Sequence, residues 1–144
     1  MKQMRIDVLG VGFDNLTLDE AVAEGMRLIN EPGAHYVVTP NPEIVEVCRE
    51  DAEANQAVNG ADLVIPDGIG VIYGAKILGT PLKQRIPGIE FAGHLMQRMA
   101  EEKKSLYLLG AKPGIAEMAA EKLRETYPGL IIAGTHDGYF QNDE

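Results

Sequence analysis

Apolar and polar positions change their period several times along the chain, and each change marks an element. Arg5-Ile6-Asp7-Val8-Leu9 alternates, and Gly10-Val11-Gly12 follows, which predicts a short strand or hairpin. Thr17-Leu18-Asp19-Glu20 has the spacing of a capping box, in which a hydroxyl and a carboxylate each satisfy a free amide at a helix start. That helix is expected to run to about Asn30, with Pro32-Gly33 closing it. His35 to Thr39 reads as a buried strand broken by Pro40-Asn41-Pro42. A helix through Ile44, Val45, Val47 and Cys48 follows, and another ends at Asn59-Gly60. Leu63-Val64-Ile65-Pro66 is the next strand, with Asp67-Gly68 as its exit loop.

The second half repeats the alternation. Ile69 to Leu78 predicts a helix stopped by Gly79, and Pro81 to Gly88 a loop carrying Lys83 and Arg85. Ile89 to Lys103 is amphipathic, with Phe91, Leu95 and Met99 on one face at four-residue spacing. Ser105 to Leu109 predicts a strand, Gly110-Ala111-Lys112-Pro113-Gly114 a turn, and the following helix reaches Tyr127 before Pro128-Gly129. Leu130 to Thr135 is the last strand. Strands alternating with helices predict one α/β domain over residues 1–144, a doubly wound, Rossmann-like parallel sheet with helices on both faces. Its central strands are expected to include Val37, Ile65, Leu108 and Ile132. His136 to Phe140 reads as a loop leaving a strand shortly before the end, an unusual finish for such a domain, so a C-terminal truncation is expected. A truncated sheet leaves a face or edge uncovered, and self-association into a homo-oligomer is expected from it.

Composition narrows the partners. The 144 residues suffice for one real core, and 45% hydrophobic with 24% charged residues is ordinary for a soluble globular protein. No run approaches the roughly 18 apolar residues needed to span a bilayer, and Met1-Lys2-Gln3-Met4-Arg5 has no long apolar stretch behind it that would suit a secretory signal. A net charge of −9 argues against nucleic acid as the main partner, because phosphate binding needs a basic face. The single cysteine, Cys48, fits a reducing compartment, and its apolar helical setting makes it a core residue rather than a nucleophile.

Ligands of parallel α/β sheets bind beyond the carboxyl ends of the strands. Four loops leave such ends: Thr39 to Glu43, Pro66 to Gly68, Gly110 to Gly114 and Thr135 to Tyr139. They are expected to meet in one crevice. Asp67 follows an apolar strand, where partial desolvation makes a carboxylate a better base. A turn, or a cap on the next helix, explains Asp67 on spacing alone. Asn41 is held between two prolines, which suits recognition of sugar hydroxyls and equally suits capping the helix near Pro42. Gly110 to Gly114 opens a helix N-terminus whose amides attract anions such as a diphosphate, or it is simply a tight turn. Arg85, in a stiff basic loop, has the guanidinium geometry for a diphosphate, or else points into solvent. His35, His94 and His136 lack metal-ligand spacing, no Asp-x-Asp triplet is present, and Asp51-Ala52-Glu53 reads as a helix start, so no metal or other cofactor is expected. There is no Gly-x-Ser-x-Gly elbow.

Five of these segments, in order, resemble those of one family. Val38-Thr39-Pro40-Asn41-Pro42-Glu43-Ile44 is similar to the T-P-N-x-E segment of the WecG/TagA/CpsF glycosyltransferases. Pro66-Asp67-Gly68-Ile69-Gly70 resembles their P-D-G-x-G, and Arg85-Ile86-Pro87-Gly88-Ile89-Glu90 their R-x-x-G-x-[DE]. Tyr107-Leu108-Leu109-Gly110-Ala111 and Gly134-Thr135-His136-Asp137-Gly138-Tyr139-Phe140 also match. The resemblance implies an inverting, metal-independent transferase of N-acetylmannosamine or a related sugar. Its donor would be a UDP-sugar and its acceptor polyprenyl-diphosphate-linked N-acetylglucosamine, in the synthesis of teichoic acid, common antigen or capsule. It further implies Asp67 as the base, Thr39, Asn41 and Arg85 as substrate-binding residues, and Gly110, Ala111, Thr135 and Tyr139 at the nucleotide or its diphosphate. It places such an enzyme in the cytoplasm, held peripherally at the inner face of the cell membrane by a basic C-terminal appendage beyond these residues, which also lack the family's glutamine-containing segment near the donor. The rival expectation is a non-catalytic nucleotide-binding or interaction module, since fold does not dictate function.

Overall fold

The computed structural model describes residues 4–141. The first three residues of the N-terminal pentapeptide and the last three of the acidic end lie outside them. The chain forms two compact units, residues 1–93 and 94–144.

The first unit opens with a hairpin, β1 (Ile6–Val8) and β2 (Val11–Phe13), paired antiparallel. Both turn residues, Leu9 and Gly10, are left-handed (φ 51° and 93°), the conformation that matches the natural twist of a two-residue hairpin. Asn55 and Asn59 each donate to the Gly10 carbonyl, and Asn59 Oδ1 accepts from Gly12 N at 2.8 Å. Helix α1 (Leu18–Asn30) begins with the predicted capping box: Glu20 N donates to Thr17 Oγ1, and Thr17 N donates to Glu20 Oε1. Those bonds hold the Glu20 carboxyl below its usual range. Strand β3 (Val37–Val38) pairs in parallel with β4 (Leu63–Val64). Between them lie α2 (Pro42–Glu50) and α3 (Ala52–Asn59), split at Asp51, whose carboxylate caps α3. Helix α4 (Ile69–Ile77) packs on β1, α3 on β2, and α1 on β4.

The core of this unit gathers Val8, Val11, Phe13, Val45, Val64 and Val71, with Cys48 among them as expected. Burial holds the Cys48 thiol high, with Asp51 adding to the effect. The segment from His35 to Thr39 departs from the expected buried strand. Only two of its residues are in the ladder, and Val37 is 37% exposed, because β3 hydrogen-bonds to β4 alone. The strand expected over Leu63 to Pro66 is likewise two residues long, yet Ile65 and Pro66 are fully buried.

Helix α5 (Gly88–Glu101) starts in the first unit and ends in the second. It begins and stops slightly earlier than its apolar pattern suggests; Phe91 and Met99 are buried and Leu95 is half-buried. In the second unit β5 (Ser105–Leu109) pairs in parallel with β6 (Ile131–His136), with a register shift between Leu106 and Tyr107. Helix α6 (Ile115–Thr126) packs against both strands and buries Ala116 and Ala120. The architecture is thus mixed α/β, with parallel pairing in each unit and one hairpin besides. Among the described residues no helix is long and apolar enough to cross a membrane.

Candidate active site

Two of the strand-end loops meet in the first unit. Past β3 and β4 the pairing continues irregularly, with Ile65 N donating to Val38 O at 2.9 Å and Asp67 N to Pro40 O at 3.3 Å. These bonds set Thr39 and Asp67 side by side. A third segment joins them when Ile86 N donates to Pro66 O at 3.0 Å, which brings the start of α5 alongside. There Gly88 N donates a long hydrogen bond of 3.4 Å to Asp67 Oδ2. The free amides of a helix N-terminus complement a carboxylate charge.

The structure settles the capping alternatives for Asp67 and Asn41. Asp67 is not a helix cap: the residue in that position is Gly68 (φ 99°), which offers no side chain, and the carboxylate turns to Gly88 instead. Asn41 is a cap, its Oδ1 accepting from Ile44 N at 3.0 Å with Pro42 as the first helical residue. Its amide nitrogen has no protein partner among the described residues and remains available to a ligand. The Pro42 ring packs on the start of α4 so tightly that a Cβ at Gly70 would lie 2.7 Å from Pro42 Cγ. That close approach holds the asparagine loop against the aspartate loop.

The basic loop is pinned on both sides of Arg85. Lys83 N donates to Asn15 Oδ1, Gln84 Oε1 accepts from Leu18 N, and Ile86 is bonded to Pro66. Lys83 spends its charge on Glu20 at 3.5 Å. The Arg85 side chain is exposed and makes no hydrogen bond or ion pair among the described residues. A cation on a fixed backbone with no internal partner suits an external anion.

The other two strand-end loops meet in the second unit. Gly110 N donates to His136 O and Gly138 N to Ala111 O, both at 2.9 Å. Gly110 (φ 133°), Ala111 (φ 64°) and Gly114 (φ 88°) are left-handed, and Gly114 stands at the N-terminus of α6. Thr135 Oγ1 donates to Glu117 Oε1 at 3.2 Å, and Tyr139 N to Asp137 Oδ1 at 2.7 Å, leaving the Tyr139 ring exposed. The His136 ring stands edge-on to Phe140, and with Tyr107 and Leu109 the two line a shallow cavity of about 250 Å³. Sequence reasoning missed the amide of Gly88 and the Glu117 partner of Thr135. Gly88 lies in a segment already singled out, but a backbone donor leaves no trace in residue type. Among the described residues no group of three or more His, Cys, Asp or Glu is gathered.

Fold and site together define a mixed α/β protein with polar groups collected at strand carboxyl ends, where such proteins hold ligands. Known proteins narrow this further. The profile described as the glycosyl transferase WecG/TagA/CpsF family matches residues 6–144, and the chain belongs to that family. An N-acetylglucosaminyldiphosphoundecaprenol N-acetyl-beta-D-mannosaminyltransferase of Bacillus spizizenii is 33% identical over 107 residues, covering 74% of this chain and 42% of that protein. A protein of the same name from Staphylococcus aureus is 31% identical over 142 residues, covering 97% of this chain and 56% of the relative. The chain therefore spans about half the length of the curated relatives it matches.

Proposed function

We propose that the chain belongs to an inverting glycosyltransferase of doubly wound, Rossmann-like class. It moves N-acetylmannosamine or a related sugar from a UDP donor to polyprenyl-diphosphate-linked N-acetylglucosamine, in the synthesis of a cell-surface polysaccharide. The observation that carries the reading is the convergence of Thr39, Asp67 and the N-terminus of α5, on the segment that also carries Arg85, which has no partner among the described residues. Family membership and the names of the relatives support the same chemistry.

In this mechanism Asp67 takes the proton from the acceptor hydroxyl as its oxygen attacks the anomeric carbon. The bond to the diphosphate breaks with inversion, and UDP leaves with the electron pair. Arg85 meets the charge that develops on the leaving diphosphate. Thr39 and the free amide of Asn41 orient the sugars, and Gly110, Ala111, Thr135 and Tyr139 hold the nucleotide. The reaction proceeds without a metal ion, so full transfer activity in excess chelator is expected. The enzyme works in the cytoplasm as a homo-oligomer, with peripheral contact at the inner membrane face through a basic C-terminal segment. Titration with UDP combined with a transfer assay, on the protein expressed from its own gene, tests the central claim. UDP binding with formation of a disaccharide-lipid of inverted anomeric configuration is the expected result. Binding without transfer would instead favour a non-catalytic nucleotide-binding module.

A further inference from the structure

In the second unit Tyr107 stands directly opposite Gly134 in the ladder of β5 and β6, where the register shifts after Leu106. A Cβ at Gly134 would lie 2.6, 3.1 and 3.6 Å from Cε2, Cδ2 and Cζ of the Tyr107 ring. The ring therefore lies across bare glycine backbone, and a larger residue at position 134 would push it away. Glycine inside a strand marks such close approaches, and an irregular ladder re-aims a side chain beside a site. Tyr107 is nevertheless 54% exposed, so the ring is held on one side and open on the other. It lines the cavity of about 250 Å³ together with Leu109, His136 and Phe140. His136 and Phe140 pack edge to face, with centroids 5.9 Å apart, and His136 Nδ1 lies 2.8 Å from the Asp137 carbonyl oxygen. We propose that this cavity seats the uracil ring of the nucleotide donor, with Tyr107 as its stacking platform and Gly134 as the residue that positions the platform.

The proposal rests on the reading of the protein as a UDP-sugar transferase. Size and chemistry select the base among the parts of that donor. The cavity is smaller than the roughly 300–1,000 Å³ of sites that enclose a whole small molecule, so it takes one ring of a larger ligand. None of its four lining residues is Asp, Glu, Lys or Arg, which suits a neutral ring and not a diphosphate. On the proposed mechanism the sugar end belongs with Asp67, in the first unit, so the base is the end still without a place. Leu109 and His136 are the last residues of their strands, and α/β proteins hold ligands at those ends. Gly110 follows Leu109 directly and its amide donates to His136 O at 2.9 Å, so the loop assigned to the nucleotide borders the cavity. Aromatic side chains stack on the π face of a base and need no charge to do so.

The test is titration of the protein expressed from its own gene with uridine and with UDP. Tyr107→Ala should weaken both by the same factor, roughly 5- to 150-fold, the scale of one lost base–aromatic stack. Tyr107→Phe keeps the ring and should bind both like the wild type. Gly134→Ala should weaken both as well, and adding it to Tyr107→Ala should cost nothing further, because the ring it displaces is already gone. Additive losses would remove Gly134 from this role. Wild-type affinities in Tyr107→Ala would overturn the seat while leaving UDP as donor. So would a loss confined to the UDP-sugar, because the cavity would then belong to the sugar. Failure of the wild type to bind UDP at all would sink the donor reading, and the seat with it. Should Tyr107→Ala fold poorly, Tyr107→Leu keeps apolar bulk over Gly134 and removes only the ring. It should melt like the wild type and still lose affinity for uridine; unchanged uridine affinity in that variant would refute the seat.

Discussion

Asp67, the base of the proposed mechanism, lies where the Pro40 loop and the start of α5 are both hydrogen-bonded to its own loop. Replacing it with asparagine preserves size and most hydrogen bonding but removes the proton acceptor. In the complete protein Asp67→Asn is expected to slow transfer by about 10² to 10⁴, the usual worth of a general base. UDP binding, measured by titration, should be unchanged, since the lost group serves the acceptor. In the proposed mechanism Arg85→Ala acts at the other end of the reaction. Its guanidinium has no internal partner among the described residues, so the fold should be unaffected while UDP affinity or the rate of diphosphate departure falls. A variant that melts at a lower temperature and binds UDP normally would count against that role. Both positions were legible in the sequence because their side chains are chemically distinctive. The Gly88 amide was not, since every residue but proline carries one.

At the scale of elements, α1 and the junction of α2 with α4 show how local pattern and tertiary contact divide the work. The capping box of α1 was readable from Thr17 and Glu20 alone, and Thr17→Ala should cost about 1 kcal/mol by denaturant titration. The Glu20 carboxyl is held below its usual range by Thr17, so the unfolded chain binds its proton first as pH falls. The stabilisation is therefore complete above the ordinary glutamate value of about 4.3 and is lost as pH drops through the lower folded value. The stability difference between the wild type and Glu20→Gln should accordingly shrink in acid; a difference independent of pH would remove the Glu20 charge from the account. Gly70 belongs to the other kind. A methyl group there meets Pro42 at 2.7 Å, and neither the proline ring nor the helix backbone can give way easily. Gly70→Ala should destabilise by about 1–3 kcal/mol, as overpacking does, and should loosen Asn41 relative to Asp67. The short β3 and β4 show the limit of periodicity: apolar runs marked where the chain is extended, but pairing partners decided how many residues enter a ladder.

Across the whole molecule, buried and exposed apolar groups make opposite predictions. Cys48 is buried and its thiol is held high, so it should react with a thiol reagent only as the chain unfolds. Rapid labelling under native conditions would contradict that packing. Ile69, Tyr73 and Ile77, at four-residue spacing along α4, are exposed, Ile77 at 84%. An apolar stripe of this kind marks an interaction surface, and sedimentation of the protein from its own gene should show a species larger than a monomer, dispersed by Ile77→Lys. Sequence alone determined the order of helices and strands, the capped start of α1, the core place of Cys48 and the segments that carry Thr39, Asn41, Asp67 and Arg85. These follow from periodicity, capping chemistry and residue type, which act over a few neighbouring positions. Only the tertiary structure decided that Gly68 rather than Asp67 caps α4, that the Asn41 oxygen caps α2, and that the amide of Gly88 reaches Asp67 beside Thr39. The last depends on a distance between residues 21 positions apart, which no local pattern encodes; the two caps are local, but the same residue types serve a cap, a turn or a ligand site, so residue type alone left them open.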